Sequence, residues 1–140
     1  MQHSPSDVIA KLLVDLSVGT DPDNGSAWPV YVAKEPTNPD NAITIYDTSG
    51  IPFGRGMDGE IWEDFSFQVR VRSTTHVIGW RKAWAVREAL RGVYQASVSL
   101  SSTYLVHAIT RIGSVVIAGK EGAQRSLFTV NAFATILEAD

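Results

Sequence analysis

The sequence predicts an α+β fold in which an N-terminal helix and a second long helix pack on a mainly antiparallel β-sheet. A mixed sheet, with some parallel strands, is the alternative. Two segments carry apolar residues at helical spacing. Several other segments alternate apolar and polar residues, as half-buried strands do. Only one helical segment lies between strands, which disfavours a doubly wound parallel sheet.

The first helix is predicted close to the N-terminus. Ser4 or Ser6 is a suitable N-cap, because a serine hydroxyl accepts a hydrogen bond from an amide of the opening turn. Asp7 places negative charge near the positive end of the helix dipole. The apolar face is formed by Val8, Ile9, Leu12, Leu13 and Leu16. Gly19 is the predicted stop.

Two short strands are predicted next, after a turn dense in Asp, Asn, Pro and Gly. Trp28, Val30 and Val32 occupy alternate positions, as in a strand with one buried face. Pro29 has no amide donor, so it belongs at the start of this strand or on a sheet edge. A loop over residues 35–41 leads to the second strand, residues 43–46.

The stretch from Asp47 to Trp62 is predicted to be a long loop. It holds four glycines and shows neither helical nor strand periodicity. Long loops in compact domains are usually functional or disordered. The strand that follows is the clearest in the chain, and one of its faces is formed by Phe65, Phe67, Val69 and Val71.

The second helix is predicted from Thr74 or Thr75 to about Gln95. Its core stripe, with spacings of four, three, four and three, is formed by Gly79, Ala83, Val86, Leu90 and Val93. Gly92 is a weak point inside this helix, because glycine costs roughly 1 kcal/mol relative to alanine.

The last third of the chain is predicted to form strands. Residues 104–112 and 114–118 make one broken run, with Gly113 at a bulge or bend between them. A hairpin turn at residues 119–122 leads to a long final strand. One face of that strand is formed by Phe128, Val130, Ala132, Ala134 and Ile136.

Length and composition indicate a single globular domain over residues 1–140. Hydrophobic residues make up 44% and charged residues 19% of the chain, which excludes a disordered protein. The formal charge of −3 argues against binding nucleic acid through many phosphates, and there is no cysteine. Because the sequence shows neither a signal peptide nor an apolar run of membrane-spanning length, no membrane partner is expected.

No residue pattern predicts catalysis, a cofactor or a metal site. Residues 54–59 spell G-x-G-x-x-G, but a dinucleotide site needs a helix at the end of this motif, and a charged segment and a strand follow instead. A flexible loop is the favoured interpretation. His3, His76 and His107 lack metal-ligand spacing. A cluster of carboxylates without an acid–base partner is expected to be solvated: Asp58, Glu60, Glu63 and Asp64.

Trp80 and Trp84 are one helical turn apart and open to a functional interpretation. Four cationic side chains surround them in sequence: Arg81, Lys82, Arg87 and Arg91. Base stacking is one interpretation, and core packing beside a solvated face is favoured over it. A third interpretation is preferred, because exposed tryptophan and arginine are enriched at the energetic centres of protein–protein interfaces.

A series of motifs occurs in a fixed order between Pro39 and Leu90: Pro39–Thr48, then Gly50, a loop with Gly and Arg, Phe67–Ser73, and a helix rich in alanine and leucine. In this order the motifs resemble the tail-terminator and minor tail proteins encoded by tailed bacteriophages and prophages. The ends of the chain resemble the same family only in layout: a helix precedes the motifs, and a strand containing Arg125–Asn131 follows them.

The resemblance implies a structural protein with a small α+β fold, no cofactor and no enzyme activity. Such proteins form a ring, typically of six subunits, on the completed tail of the virion, after synthesis in the host cytoplasm. The ring stops polymerisation of the tail tube protein and offers a surface to head connector or neck proteins at the head–tail junction. DNA passes through it without specific binding. Two alternatives are another neck, minor tail or minor capsid component and a nucleotide- or nucleic-acid-binding module.

A ring repeats one heterologous interface until it closes, so each subunit needs two complementary surfaces. The loop from Gly50 to Trp62 is expected to supply one of them by ordering upon assembly. The hypothesis for the subunit or partner interface comprises Phe53, Arg55, Met57, Trp62, Trp80 and Trp84.

Overall fold

Helices and strands account for most of the chain. The computed structural model describes residues 2–24, 27–36, 39–55, 61–121 and 125–139; the side chains of residues 24, 49–55, 61–63, 120–121 and 139 lie outside this description. In order, the described elements are α1 (Pro5–Asp15), a 3-10 turn (Pro22–Asn24), β1 (Val30–Val32), β2 (Ala42–Arg55), β3 (Ile61–Ser73), α2 (His76–Arg91), β4 (Tyr94–Ser99), β5 (Thr103–Thr110), β6 (Val116–Glu121) and β7 (Arg125–Ala139).

The strands form one mixed sheet that curves into a half-barrel. Their order is β1-β2-β3-β7-β5-β4, and β6 pairs with β7. β1 and β2 are parallel, while the other described pairs are antiparallel. β3 follows one side of β7, and β5 and β6 share the other side in tandem. The predicted α+β class is confirmed.

The core lies between both helices and one face of this sheet. Val69 of β3 pairs with Ile45 of β2 and Val130 of β7, and all three are fully buried. The helices cover them with two buried stripes: Val8, Ile9, Leu12 and Leu13 of α1, and Gly79, Ala83, Val86 and Leu90 of α2. Burying an aliphatic side chain of this size contributes about 1.5–3 kcal/mol. The predicted apolar face of α1 is therefore confirmed except at Leu16, which is the C-cap and 42% exposed, and the predicted core stripe of α2 is confirmed through Leu90.

α1 begins as predicted but ends earlier. Ser4 and Asp7 form a reciprocal capping box, in which each side chain accepts a hydrogen bond from the other residue's amide. The helix ends at Asp15, and Ser17 has a left-handed φ of 61°. The prediction that Gly19 stops the helix is wrong. Gly19 is buried where an added Cβ would lie 2.3 Å from Cγ2 of Val30, so close packing requires glycine there.

The prediction of a long loop from Asp47 to Trp62 is wrong. β2 continues to Arg55 and β3 begins at Ile61, so both strands extend into the stretch. Register shifts between Asp47 and Gly50 and between Pro52 and Gly54 break the alternation by which a strand is recognised. Because these strand segments are already paired within one chain, they do not depend on assembly for order. Residues 56–60 lie outside the described residues.

α2 ends four residues before the predicted Gln95. Gly92 is its C-cap and not an interior position; its amide donates to the carbonyl of Ala89, and the amide of Val93 donates to that of Leu90. Val93 is buried beyond the helix, and Tyr94 begins β4, which pairs with β5. β4 is not among the predicted strands, because the helical spacing of apolar residues continues through Val93. Thr75 stands at the N-cap, but its side chain makes no capping hydrogen bond.

The broken run near the C-terminus is confirmed as β5 and β6. Between them the amide of Gly113 donates to the carbonyl of Asn131 at 2.8 Å. The hairpin turn is later than predicted, because Gly119, with a φ of 95°, lies within β6 at a register shift. The connection to β7 falls at residues 122–124, outside the described part of the chain.

Gly79 fixes how closely α2 approaches β7. An added Cβ would lie 2.5 Å from Cε2 of the buried Phe128 ring. We expect Gly79→Ala to lower the free energy of unfolding by up to about 2 kcal/mol in urea titrations, because overpacking costs about 1–3 kcal/mol and the gain in helix propensity offsets only about 1 kcal/mol of it. Gly92→Ala is the control, since its nearest atom is the Ala89 carbonyl oxygen at 3.7 Å. Equal losses in both variants would contradict this account.

Candidate functional site

α2 carries a second stripe of residues beside its core stripe. Trp80, Trp84, Arg87 and Arg91 recur at spacings of four, three and four, so they share one flank of the helix. These four residues are termed the Trp–Arg stripe. The Trp80 and Trp84 rings stack with centroids 6.1 Å apart, and the Arg87 guanidinium carbon lies 5.1 Å from the Trp84 ring centroid. Stacking and cation–π contact hold the first three of these residues in one arrangement.

The inner edge of the stripe rests on β7. The Trp80 ring meets the fully buried Phe128 ring edge-on, with centroids 6.3 Å apart. His76, the first residue of α2, also contacts Phe128, with ring centroids 5.3 Å apart. Trp80 nevertheless remains 37% exposed and Trp84 45% exposed. The tryptophans therefore pack against the core and still present apolar surface to solvent.

The exposed apolar surface extends beyond the tryptophans. Val77, one turn before Trp80 on the same flank, is 51% exposed. Ile117 of β6 is 55% exposed and pairs with Phe128, which places it beside that ring on the face that carries the helices. Contiguous exposed apolar residues with a polar rim are typical of protein interaction sites.

The charge of α2 differs from that of the whole chain. Four cationic side chains and Glu88 give the helix a net charge of +3, against −3 for the chain. Lys82, which sequence reasoning placed near the tryptophans, lies on the other flank. Its ammonium donates to the carbonyl of Val18 at 2.9 Å and lies 5.3 Å from the Trp28 ring centroid. Burial lowers the pKa of Lys82, because the charged ammonium loses part of its contact with water in the folded protein. The charge therefore lowers stability at neutral pH, and this loss disappears as the pH rises toward 10.5 and Lys82 loses its proton.

The other four residues of the interface hypothesis belong to the segment in which β2 and β3 pair as a hairpin, and this segment lies elsewhere in the fold. Phe53 and Arg55 belong to β2 and Trp62 to β3, with Gly54 opposite Trp62. Their side chains, and Met57 altogether, lie outside the described residues. α2 follows the far end of β3, roughly 40 Å from Ile61 at about 3.3 Å per residue. The hairpin end of β3 and the start of α2 are therefore at opposite ends of that strand.

The G-x-G-x-x-G pattern and the histidines occupy structural positions in the fold. The G-x-G-x-x-G pattern begins in β2, and Ile61 opens a strand where nucleotide binding would need a helix. His3 Nδ1 shares a hydrogen bond of 2.8 Å with the Tyr104 hydroxyl, and His107 lies within β5. Within the described ranges, no three His, Asp or Glu side chains are grouped closely enough to hold a metal ion. In the same ranges, no helix has the length and apolarity to cross a membrane.

A family model described as "Bacteriophage tail terminator protein" matches residues 10–138, from within α1 to the end of β7. The chain belongs to the bacteriophage tail terminator family. Its members are structural components of the phage, located in the virion tail. The resemblance seen in the ordered motifs is thereby confirmed over nearly the whole chain.

The terminator domain also has a structural relative of the same fold. It is similar to a chain of a solved structure titled "Virion of native gene transfer agent (GTA) particle", with a TM-score of 0.51 and 14% sequence identity. The similarity covers 90% of this chain and 84% of that chain. At this identity the likeness shows the shared fold. No curated protein matches the chain.

Sequence reasoning named the two tryptophans of this terminator surface together with four cationic residues, but it did not separate Arg87 and Arg91, which lie on the tryptophan flank, from the other two. The spacing from Trp80 through Trp84 and Arg87 to Arg91 parallels that of the core stripe and could have shown that all four share a flank. Ile117 carried no such signal, because its position depends on the pairing of β6 with β7.

Proposed function

We propose that this tail terminator forms a ring that caps the completed tail tube and offers the surface on which the head connector docks. Membership of the family supports the structural role in the tail. The observation that carries the ring is the exposed Trp–Arg stripe with Val77 and Ile117, in which Trp80 packs on Phe128 and Trp84 stacks on Trp80. A rigid aromatic surface binds a partner with little loss of conformational entropy.

Two separate surfaces in one subunit suit a heterologous ring contact. The hairpin, with Phe53, Arg55, Met57 and Trp62, supplies one surface, and Trp80 and Trp84 supply the other. Each subunit then uses its hairpin on one neighbour and its stripe on the next. Because each contact joins two different surfaces, a pair of subunits still has one of each free, so the contact extends beyond a dimer and forms a ring when the rotation between neighbours closes.

The tail tube protein and the head connector or neck proteins are the proposed partners of the assembled ring. The solved structure that shares this fold belongs to a virion particle, and a comparable location is proposed for this chain. DNA is expected to pass through the ring without specific binding, since the chain carries a net charge of −3. The alternative role, as another neck or minor tail component, uses the same surfaces with a different partner.

An assay of tail-tube capping tests the proposed function directly. Tail tube protein is polymerised in the presence of increasing amounts of this protein, and tube length and tube ends are measured by electron microscopy. We expect shorter tubes, each with added density at one end. Normal tube growth together with binding to connector proteins would favour the alternative role, and no binding to either component would contradict a place at this junction.

A further inference from the structure

The Trp–Arg stripe ends at an open cavity whose lining is rich in arginine. The cavity has a volume of about 370 Å³ and is lined by Arg87, Arg91 and residues 109–112, which include Arg111. It lies where the chain passes from β5 toward β6, beside the C-terminal turns of α2. Three guanidinium-bearing residues on two elements therefore line one cavity.

The arginines of this cavity are held from two sides. Arg87 Nε donates to the carbonyl of Gly113 at 2.9 Å, and its side chain is 18% exposed. Arg111 has a left-handed φ of 52°, and its guanidinium carbon lies 4.8 Å from the Phe133 ring centroid. Arg91 is more open, with 56% of its side chain exposed. Fixed guanidinium groups lose little freedom when they bind an anion.

The cavity carries excess positive charge. Glu88 is the carboxylate that pairs with Arg87 and Arg91, at 3.4 and 3.3 Å, and it is itself 45% exposed. Three arginines beside one carboxylate leave a net charge of +2 at this site. Guanidinium groups bind carboxylates through paired hydrogen bonds. The cavity therefore suits a carboxylate-bearing ligand.

We propose that this arginine cavity receives the acidic hairpin segment of a second copy of the chain, an inference that rests on the proposed ring. Between Arg55 and Arg70 the sequence holds four carboxylates and no lysine or arginine: Asp58, Glu60, Glu63 and Asp64. This segment and the cavity carry opposite charge. Charge complementarity fixes which two surfaces meet and suppresses wrong pairings.

A protein segment fits this site better than a nucleic acid. The whole chain carries a net charge of −3, which disfavours binding to a phosphate backbone. The arginines also continue directly into the exposed tryptophans, since Arg87 contacts Trp84. Arginine beside exposed aromatic surface is typical of protein interface centres. The hairpin offers the matching combination in sequence, with Trp62 among its carboxylates.

Two charge-reversed variants test the pairing. The cavity variant is Arg91→Glu with Arg111→Asp, since aspartate tolerates a left-handed φ better than most residues. The hairpin variant is Asp58→Lys with Glu60→Lys. The mass of each variant, of their equimolar mixture and of the unmodified protein is measured by light scattering up to the highest soluble concentration. Arg81→Glu, on an exposed part of α2 outside the cavity lining, is the matched control.

We expect each variant alone to assemble at least tenfold more weakly, because like charges then meet at every contact. The mixture should regain assembly, since each variant complements the other, and Arg81→Glu should behave as the unmodified protein. Unchanged circular dichroism of both variants excludes misfolding as the cause.

Three outcomes would overturn the pairing: unaltered assembly of both variants, failure of the mixture to recover, or an unmodified chain that stays monomeric. Salt-dependent DNA binding that is lost in the cavity variant would also overturn it, in favour of a nucleic-acid site. None of these results would refute tail capping, which is measured on tubes.

Discussion

Replacing Val69 with aspartate should unfold the protein. The Val69 side chain is fully buried, between Ile45 and Val130 in the sheet and beneath the helices. An ionised carboxylate without a partner costs several kcal/mol at such a position, and its protonated form still loses hydrogen bonds to water. A domain of this size has a stability of about 5–15 kcal/mol. Loss of cooperative thermal unfolding by circular dichroism is the expected result.

Val116→Asp is the matched control for this prediction. It makes the same chemical change in a strand, but Val116 is 51% exposed. A surface substitution of this kind shifts stability by about 0.5 kcal/mol or less. A folded Val69→Asp protein with an unchanged melting temperature would refute the buried face assigned to β3.

Trp84→Ala should weaken assembly strongly and leave the subunit folded. The ring is 45% exposed and lies between the Trp80 ring and the Arg87 guanidinium, so its removal takes away the middle of the Trp–Arg stripe. Loss of a central interface aromatic costs about 2 kcal/mol or more. That corresponds to roughly a 30-fold weaker contact, measured by light scattering over a concentration series.

Tyr94→Ala separates this effect from the general loss of an exposed aromatic residue. Tyr94 is 71% exposed and stands at the start of β4, outside the stripe. We expect its assembly to equal that of the unmodified protein. Equal assembly of the Trp84→Ala protein would mean that the stripe is not the subunit interface.

The elements with uninterrupted periodicity were predictable. The buried stripes of both helices and the alternating faces of β3 and β7 match the sequence pattern, because each follows one face of a regular element. The start of α1 was also predictable, because its capping residues are local in sequence.

The elements that depend on partners distant in sequence were not predictable. β4 and the outer half of the β2–β3 hairpin are strands because neighbouring strands pair with them. Arg72 is 1% exposed although its pattern places it on a polar face, because the carbonyls of Pro39 and Asp40 accept hydrogen bonds from its guanidinium. Such burial comes from the residues that lead into the neighbouring strand β2, which no local pattern around Arg72 encodes.

The candidate site also has one part that the sequence predicts and one part that it does not. Its tryptophans stood out by residue type and spacing, whereas the arginine cavity is assembled from α2 and the β5–β6 connection. Family membership was predictable because the motifs are contiguous and ordered, and the family match covers residues 10–138.

The mass and shape of the protein in solution test the central claim most directly. Light scattering over a concentration series, followed by negative-stain imaging, should show one closed ring of uniform size. Six subunits are expected if the resemblance extends to subunit number. A strict monomer at every concentration, both alone and in the presence of tail tubes, would contradict the ring.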